Sequence, residues 1–496
     1  MDDRYIISYD LGTSGVKVVL VTMKGKVIGS AIQDYPLYIT QENWVEQDPE
    51  SYWDACGKAT KKVLYANSIK GEDCIGIVFS TQWKGIIPID GDGKVLHNSI
   101  IWMDKRAGVQ AKQLNQAFGK ELFCESDYWP KLAWLRENRF EIYEKSEYIL
   151  EANSYLKWKA TGAVYSDITN CYTRSYSPAK QSFYDKTLKY ANIEPNKFPH
   201  LCNTTDIVGK VSKKAAKELG VKEGIPVFGG CCDIAALAIG TGSCSLGDAH
   251  AYLGTSGWIG YVLPHDPDAV YVPPLDKEKD IGFYGLGISV GPSTNWIVDQ
   301  LYLNEKEELG SKVWTLIDKE LENIGPGSGR LIAAPWFFGG RPPFSSGEAR
   351  AIFANLNSSH TRAHMMSAVM EGICYTMRQN LEELNKKTPI PLERLTVCGG
   401  GTNNAHWMQA MANILKIDII IPENSENAGA IGAAYCALIG LGICKSFDTI
   451  KDHIKIAKVY HPDRSTFAEY DLIYEQYKQL HESMSWLFDA LNRPID

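Results

Sequence analysis

Nowhere in the 496 residues is there an unbroken run of about 18 apolar residues, so nothing in the chain is composed to span a bilayer. Basic residues are not in excess either. The 51 Lys and Arg against 59 Asp and Glu leave a net charge of −8, which argues against a nucleic-acid surface and for small-molecule chemistry with local basic spots. The 12 cysteines form no CxxC pair, and several lie inside apolar stretches such as "LTVCGGG" and "AAYCALIG". They read as buried thiols of a reducing cytoplasm, not as a disulfide framework or zinc ligands, and the adjacent Cys231 and Cys232 read as core filling. The opening "MDDRYIISYD" carries early acids and enters a strand almost at once, unlike a secretory leader. No low-complexity linker or heptad run interrupts the chain.

What is present is an alternation of two periods. Apolar β-rich runs ("IISYD", "VKVVLV", "CIGIVFS", "GIPVFGG", "LTVCGGG", "IDIIIP") alternate with helical patterns such as "ESYWDACGKATKKVLYA" and "NAHWMQAMANILK", which indicates an α/β architecture. The length exceeds what one core usually serves, so two domains of roughly 250 residues are expected. An internal echo places the boundary. "SYDLGTSGVKVVLV" at 8–21 returns as "AYLGTSGWIGYVL" at 251–263, each a strand, Gly-Thr-Ser-Gly and a second strand, giving domains 1–245 and 246–496. The copies differ at one telling position, Asp10 in the first and Tyr252 in the second.

Several stretches carry chemistry as readily as they carry structure. The 12–15 loop is either a hairpin turn or a phosphate cradle made of turn N–H groups, Thr13, Ser14 and Lys17. It is not a Walker motif, because a strand follows it. Asp10 is either a turn cap or an acid that holds Mg²⁺ through water. In "GIPVFGGCCDIAALAIG", Asp233 follows a strand and two glycines and opens an apolar helix, as a dipole-favoured acid or as a base for a substrate hydroxyl. "STQWKG" (Gln82, Trp83, Lys84) and "IIWMDKR" (Trp102, Asp104, Arg106) follow strands and suit the edges and apolar face of a sugar, or else belong to core and ion pairs. The glycines at 399–401 precede an amphipathic helix whose N-terminus favours an anion, with Asn404 where a dinucleotide fingerprint needs glycine. Asp48-Pro49-Glu50 in "WVEQDPESYW" is sufficient to start a helix and is read as structural.

Together these residues resemble the FGGY carbohydrate kinases over essentially the whole chain. "DLGTSGVK", "WVEQDPESYW", "IIWMDKRA" and "GGCCD" fall in that family's order. "SDYWPKLAWLREN" and "AIFANLNSSHTRAHMMSAVME" match its two long signatures except at Tyr128 and Asn355. The resemblance implies two ribonuclease-H-like, actin-like ATPase domains with a nucleotide cleft between them, the sugar bound mainly by the first, and ATP and Mg²⁺ as cofactors. It makes Asp233 the general base and Asp10 the metal-site acid. Gln82, Trp83, Lys84, Asp104 and Asp233 become sugar contacts. Thr13, Ser14 and Lys17 face the phosphates from one side and Thr255 from the other, with Gly291, Asn295, Gly400 and Asn404 toward the nucleotide. The likeness is greatest to xylulokinases, although Trp83-Lys84 stands where those enzymes have Met-His and glycerol kinases Arg-Glu. The expected activity is phosphorylation of a ketopentose or of another polyol or sugar acid (erythritol, ribulose, gluconate), in the cytoplasm, by a chain whose assembly as a homodimer is an expectation. The alternatives are an actin-like ATPase and a non-catalytic sugar sensor. The acidless second loop and the retained Asp10 and Asp233 weigh against them.

Overall fold

Burial runs almost unbroken along the central strands, as it does where helices cover both faces of a sheet. The computed structural model describes residues 4–41, 43–170, 178–266, 272–339, 349–387 and 391–492; the first three residues, part of the opening that carried the reading against a leader, lie outside them. The first two β-rich runs are β1 (Tyr5–Leu11) and β2 (Gly15–Thr22), joined by the 12–15 turn as a hairpin. With β3 (Val27–Asp34), β4 (Cys74–Thr81), β5 (Ile207–Lys210), β6 (Pro226–Phe228) and β7 (Cys231–Cys232) they form a seven-stranded sheet in the order β5-β6-β4-β1-β2-β3, β7 pairing with the end of β4. β1, β2 and β3 pair antiparallel, β1, β4 and β6 parallel, and β5 antiparallel at the edge.

The second sheet repeats that plan. β8 (Ala249–Leu253), β9 (Gly257–Pro264), β10 (Lys279–Gly285), β11 (Arg394–Cys398), β12 (Asp418–Pro422) and β13 (Ile456–Tyr460) lie in the order β10-β9-β8-β11-β12-β13. Its β8–β9 hairpin is antiparallel, β8, β11 and β12 run parallel, and β13 is antiparallel. The tetrapeptide echo is therefore the visible part of a duplicated sheet.

Contacts divide the chain into two compact units. One comprises Met1–Cys244, Leu263–Ile281 and Asn427–His453, the other Ser245–Val262, Gly282–Glu426 and Ile454–Asp496. In the first unit, α1 (Pro49–Ala66) begins as its sequence dictates: Asp48 caps it by accepting the Glu50 N–H at 3.0 Å, with Pro49 in the first turn. α2 (Tyr128–Asn138), α3 (Ala152–Thr161) and α4 (Asp233–Gly240) follow. The Ile7, Tyr9 and Leu11 face of β1 packs into one core with α1 and α3, and the Tyr9 hydroxyl meets Thr60 of α1 at 2.7 Å. The second unit carries α5 (Val290–Leu301), α6 (Val313–Leu321), α7 (Arg362–Lys387) and α8 (Ala405–Leu415) around its own core.

The opposite face of the first sheet is covered by α9 (Ala428–Gly440), a helix from late in the chain. Apolar on every side, α9 is buried from Ala428 to Leu438, and Ser8 on β1 donates to its Ala430 carbonyl at 2.6 Å. α4 and α9 approach backbone to backbone. A Cβ at Gly240 would stand 1.8 Å from the Ala428 carbonyl oxygen, and one at Gly432 1.8 Å from that of Ala236, so only glycine fits the crossing. Among the described residues no helix is long and apolar enough to cross a membrane.

Candidate active site

The parallel strands of the first sheet end at one edge, where open α/β sheets expose their ligand-binding crevice. Asp10 sits near the end of β1, in register with Ser80 of β4. Asp233 follows Cys232, which is in register with Thr81 of the same strand. The two acids thus flank β4, with backbones roughly 10 Å apart from strand spacing. Burial pushes Asp233 up to about 7, and the neighbouring Asp10 carboxylate adds to the shift. Asp10 is raised chiefly by burial too, opposed by Lys17, its partner across the β1–β2 ladder, and by the Ser80 hydroxyl. Asp10 also lies at the head of α9. A Cβ at Gly429 would be 2.5 Å from Asp10 Oδ2, so glycine is what lets the carboxylate rest against the positive end of that helix.

The backbone that presents Asp233 is held by buried polar groups. Gly230, between β6 and β7, has φ +69°, and a Cβ there would strike the Phe79 carbonyl oxygen at 2.1 Å. Lys157 donates to the Gly229 carbonyl at 2.9 Å and Asn153 to that of Phe79 at 2.8 Å. The Cys232 N–H donates to Thr169 Oγ1 at 2.8 Å, whose hydroxyl in turn donates to Asp167.

The 12–15 loop is braced from several sides. Gln47 donates to the Thr13 carbonyl at 2.7 Å, Tyr35 donates to the Gly12 carbonyl, and the Gln82 N–H donates to that of Leu11 at 2.8 Å. Trp102 Nε1 donates to the Thr13 hydroxyl at 3.0 Å, while the Gln82 amide donates to Gln47 Oε1 at 2.8 Å. The Thr13 hydroxyl is consequently part of the loop's bracing, while Ser14 is exposed and Lys17 half-buried beside Asp10. Gln82 and Trp83 lie just beyond β4 and are nearly buried, and Lys84 follows in the left-handed region at φ +67°. Lys84 Nζ is 2.5 Å from Asp127 Oδ1 and lies over the Trp83 ring.

Asp104 departs from the expectation of a sugar contact. It is fully buried, accepts the Val45 N–H at 2.6 Å, and is paired with Arg106 at 2.7 Å, so its carboxylate is spent inside the protein. Arg106 itself is stacked between Trp44 and Trp134 and bound to Glu46 at 2.8 Å. This buried pair shapes the turn that presents Trp102.

In the second unit Thr255 is exposed at the tip of the echo turn. The head of α5 docks on that turn: the Gly291 N–H donates to the Gly254 carbonyl at 2.8 Å and the Val290 N–H to that of Thr255 at 3.2 Å. Asn295, one helical turn on from Gly291, is exposed on the same face. Gly399 (φ +98°) presses on the other side, where a Cβ would be 2.5 Å from the Leu253 carbonyl oxygen, and Gly400 beside it is exposed. Asn404 departs from a simple nucleotide contact. Its Oδ1 caps α8 by accepting the Trp407 N–H at 2.7 Å, and its Nδ2 donates to Asp318 Oδ1 at 2.6 Å. Tyr252, in the place of Asp10, packs against Trp258 with the rings tilted and their centroids 4.5 Å apart, and covers Gly254.

Sequence reasoning missed Tyr35, Gln47, Asp127 and Lys131. Lys131, on α2, is fully buried and donates to the carbonyls of Lys84 at 2.5 Å and Ile101 at 3.0 Å; burial drives its pKa down to about 7. A lysine inside an apolar, aromatic helix pattern was the available signal.

Among the described residues no cluster of three or more His, Cys, Asp or Glu is placed to hold a metal. Two carboxylates alone suit a Mg²⁺ ion that keeps water and substrate phosphates in its shell.

A "Xylulose kinase" of Bacillus subtilis is 28% identical over 98% of this chain and 99% of its own. A "Gluconokinase" of the same organism is 26% identical over 94% and 93%. A solved ligand-bound xylulose kinase from Lactobacillus acidophilus superposes with a TM-score of 0.83 at 24% identity, over 97% of this chain and 98% of that one, which shows the shared fold. Residues 5–240 match the N-terminal domain, and residues 236–441 the C-terminal domain, of the FGGY family of carbohydrate kinases. With two sheets of one plan and an acid pair at the edge of the first, the chain belongs to that family, ATP-dependent sugar kinases on an actin-like ATPase fold.

Proposed function

We propose that this chain transfers the γ-phosphate of ATP to a terminal hydroxyl of a ketopentose such as xylulose, or of a related polyol. The observation that carries the reading is the Asp10–Asp233 pair at the C-terminal edge of the first sheet, beside a braced Gly-Thr-Ser-Gly loop. The xylulose kinase and gluconokinase likenesses support the substrate range.

In this reading residues 1–245 bind the sugar and residues 246–496 the nucleotide. Asp233 accepts the proton of the sugar hydroxyl as its oxygen bonds to the γ-phosphorus and the bridging bond to ADP breaks. A carboxylate titrating near 7 is matched to that task at neutral pH. Asp10 would hold Mg²⁺, directly or through water; the ion neutralises charge on the phosphates. Ser14, Lys17 and the N–H groups of the 12–15 turn receive phosphate oxygens, with Thr13 fixing the loop's shape. Thr255, Gly291, Asn295 and Gly400 receive the nucleotide, Asn404 acting through its helix cap. Trp83 and Trp102 supply an apolar face, and Gln82 and Lys84 the hydrogen bonds. Cys56, Cys74, Cys231, Cys232, Cys374 and Cys436 are buried free thiols, which supports a reducing, cytoplasmic setting.

Asp233→Asn is expected to lower sugar-dependent ADP release at least roughly a thousandfold while ATP binding persists. Coupled ADP assays and nucleotide titration measure both. Substantial turnover in the variant would remove Asp233 as the base.

A further inference from the structure

Lys84 stands where a positive charge would draw a sugar acid, yet its surroundings cancel that charge. Its ammonium is 2.5 Å from Asp127 Oδ1, in side chains that are 25% and 10% exposed. Asp127 occupies the position before α2 where an aspartate ordinarily caps the helix, and its side chain makes no cap bond. The carboxylate is committed instead to Lys84 through Oδ1 and to the Cys124 N–H, at 2.8 Å, through Oδ2. Burial alone would raise this carboxyl; the Lys84 ammonium outweighs it and holds Asp127 below the usual carboxylate range, so the pair is ionised. One helical turn along α2, Lys131 grips the Lys84 carbonyl, so a single helix fixes Lys84 at both backbone and head group.

Among the described residues, two cations close to Lys84 are already committed. The Arg106 side chain is sealed with Asp104 and Glu46, and Lys131 is fully buried against two carbonyls. Asp10 and Asp233 stand at the same sheet edge with Lys17 beside Asp10, and a sugar carboxylate brought to Lys84 would also meet the Asp127 carboxylate. A hydroxyl, by contrast, can accept from the ammonium and donate to the carboxylate at once.

We propose that Asp127 sets the substrate class: with Lys84 it forms a charge-neutral donor–acceptor pair that takes a neutral polyhydroxyl substrate and excludes a sugar carboxylate. This rests on the kinase reading and chooses between the two chemistries that the relatives' names represent.

The test uses the full chain and four proteins: wild type, Asp127→Asn, Lys84→Met and the double variant. ADP release is measured over a panel of neutral ketoses and polyols and over aldonates. Tryptophan fluorescence titration of the same sugars reports binding without turnover. Wild type is expected to favour its best neutral substrate over its best aldonate by roughly a hundredfold or more in kcat/KM. Asp127→Asn keeps an acceptor for Cys124 and frees the Lys84 charge. It is expected to move the aldonate-to-neutral ratio by at least roughly tenfold toward the aldonate, a gain the double variant loses. Lys84→Met is expected to raise the neutral-substrate KM while aldonates stay excluded, and it serves where Asp127→Asn does not fold. A wild type that prefers an aldonate, an unchanged ratio in a folded Asp127→Asn, or an unchanged neutral KM in Lys84→Met overturns the proposal. Fluorescence that separates the two classes as expected while no sugar supports ADP release would uphold it and remove the kinase reading instead.

Discussion

A carboxylate stripped of hydration, with another carboxylate as neighbour, resists ionisation, and Asp233 meets both conditions. The sign of its effect on stability follows. With a folded pKa of about 7 against 3.8 unfolded, Asp233 contributes nothing below pH 3.8, where both states are protonated. As pH rises toward 7 the unfolded chain ionises first and stability falls; above 7 the whole penalty stands, on the order of a few kcal/mol. Asp233→Asn is therefore expected to raise the Tm at pH 8 and leave it nearly unchanged at pH 4, and thermal melts at both values measure it. An equal gain at both would assign the effect to packing. The same titration gives wild-type kcat/KM an acid limb that rises with pH to a plateau above about 7, read from a pH profile with saturating ATP.

Elements carry the site through their crossings as much as through their side chains. α4 begins at Asp233, and its far end meets α9 where Gly240 and Gly432 admit no Cβ. Gly432→Ala is expected to destabilise the protein by about 1–3 kcal/mol, because a methyl group must displace the Ala236 backbone. Since α4 would move with it, kcat is expected to fall more than the sugar KM rises. Gly91→Ala, where a Cβ meets open space, is the comparison. Denaturant melts and steady-state kinetics on both variants measure the contrast. At this scale much was legible: "IISYDL", "CIGIVFST" and "LTVC" became strands because short, β-branched apolar runs suit a sheet buried on both faces. The segment "WVEQDPESYW" was legible only in half. Its cap is local chemistry, but Gln47 and Glu46 serve the 12–15 loop and Arg106, distant in sequence, and no local pattern encodes that.

The whole first unit is completed by a segment that the chain supplies more than 180 residues after Cys244, and this governs what can fold alone. Without α9 the Ile6 and Ser8 face of the sheet and the apolar α4 lose their cover. A fragment ending at residue 245 is expected to bind hydrophobic dyes and aggregate, and circular dichroism with dye fluorescence measures it. A monomeric fragment with a cooperative melt would show that the sheet stands without that helix. In the intact protein, hydrogen exchange is expected to group α9 with β1 and β4, its packing partners, and not with the neighbouring α8 in the second unit.

By itself the sequence determined what depends on neighbours along the chain: the strands and helices, the start of α1 at Asp48, the two Gly-Thr-Ser-Gly turns, and the acids Asp10 and Asp233 at strand ends. Hydrophobic period and turn chemistry act over a few residues, so they can be read there. The tertiary structure alone decided how charges were spent. Asp104 is sealed on Arg106, Asp127 cancels Lys84, Asn404 caps α8 and binds Asp318, and Gly429 seats Asp10 on α9. Whether a polar group faces a ligand or a distant partner depends on which segments packing brings together, and burial makes that choice costly to reverse.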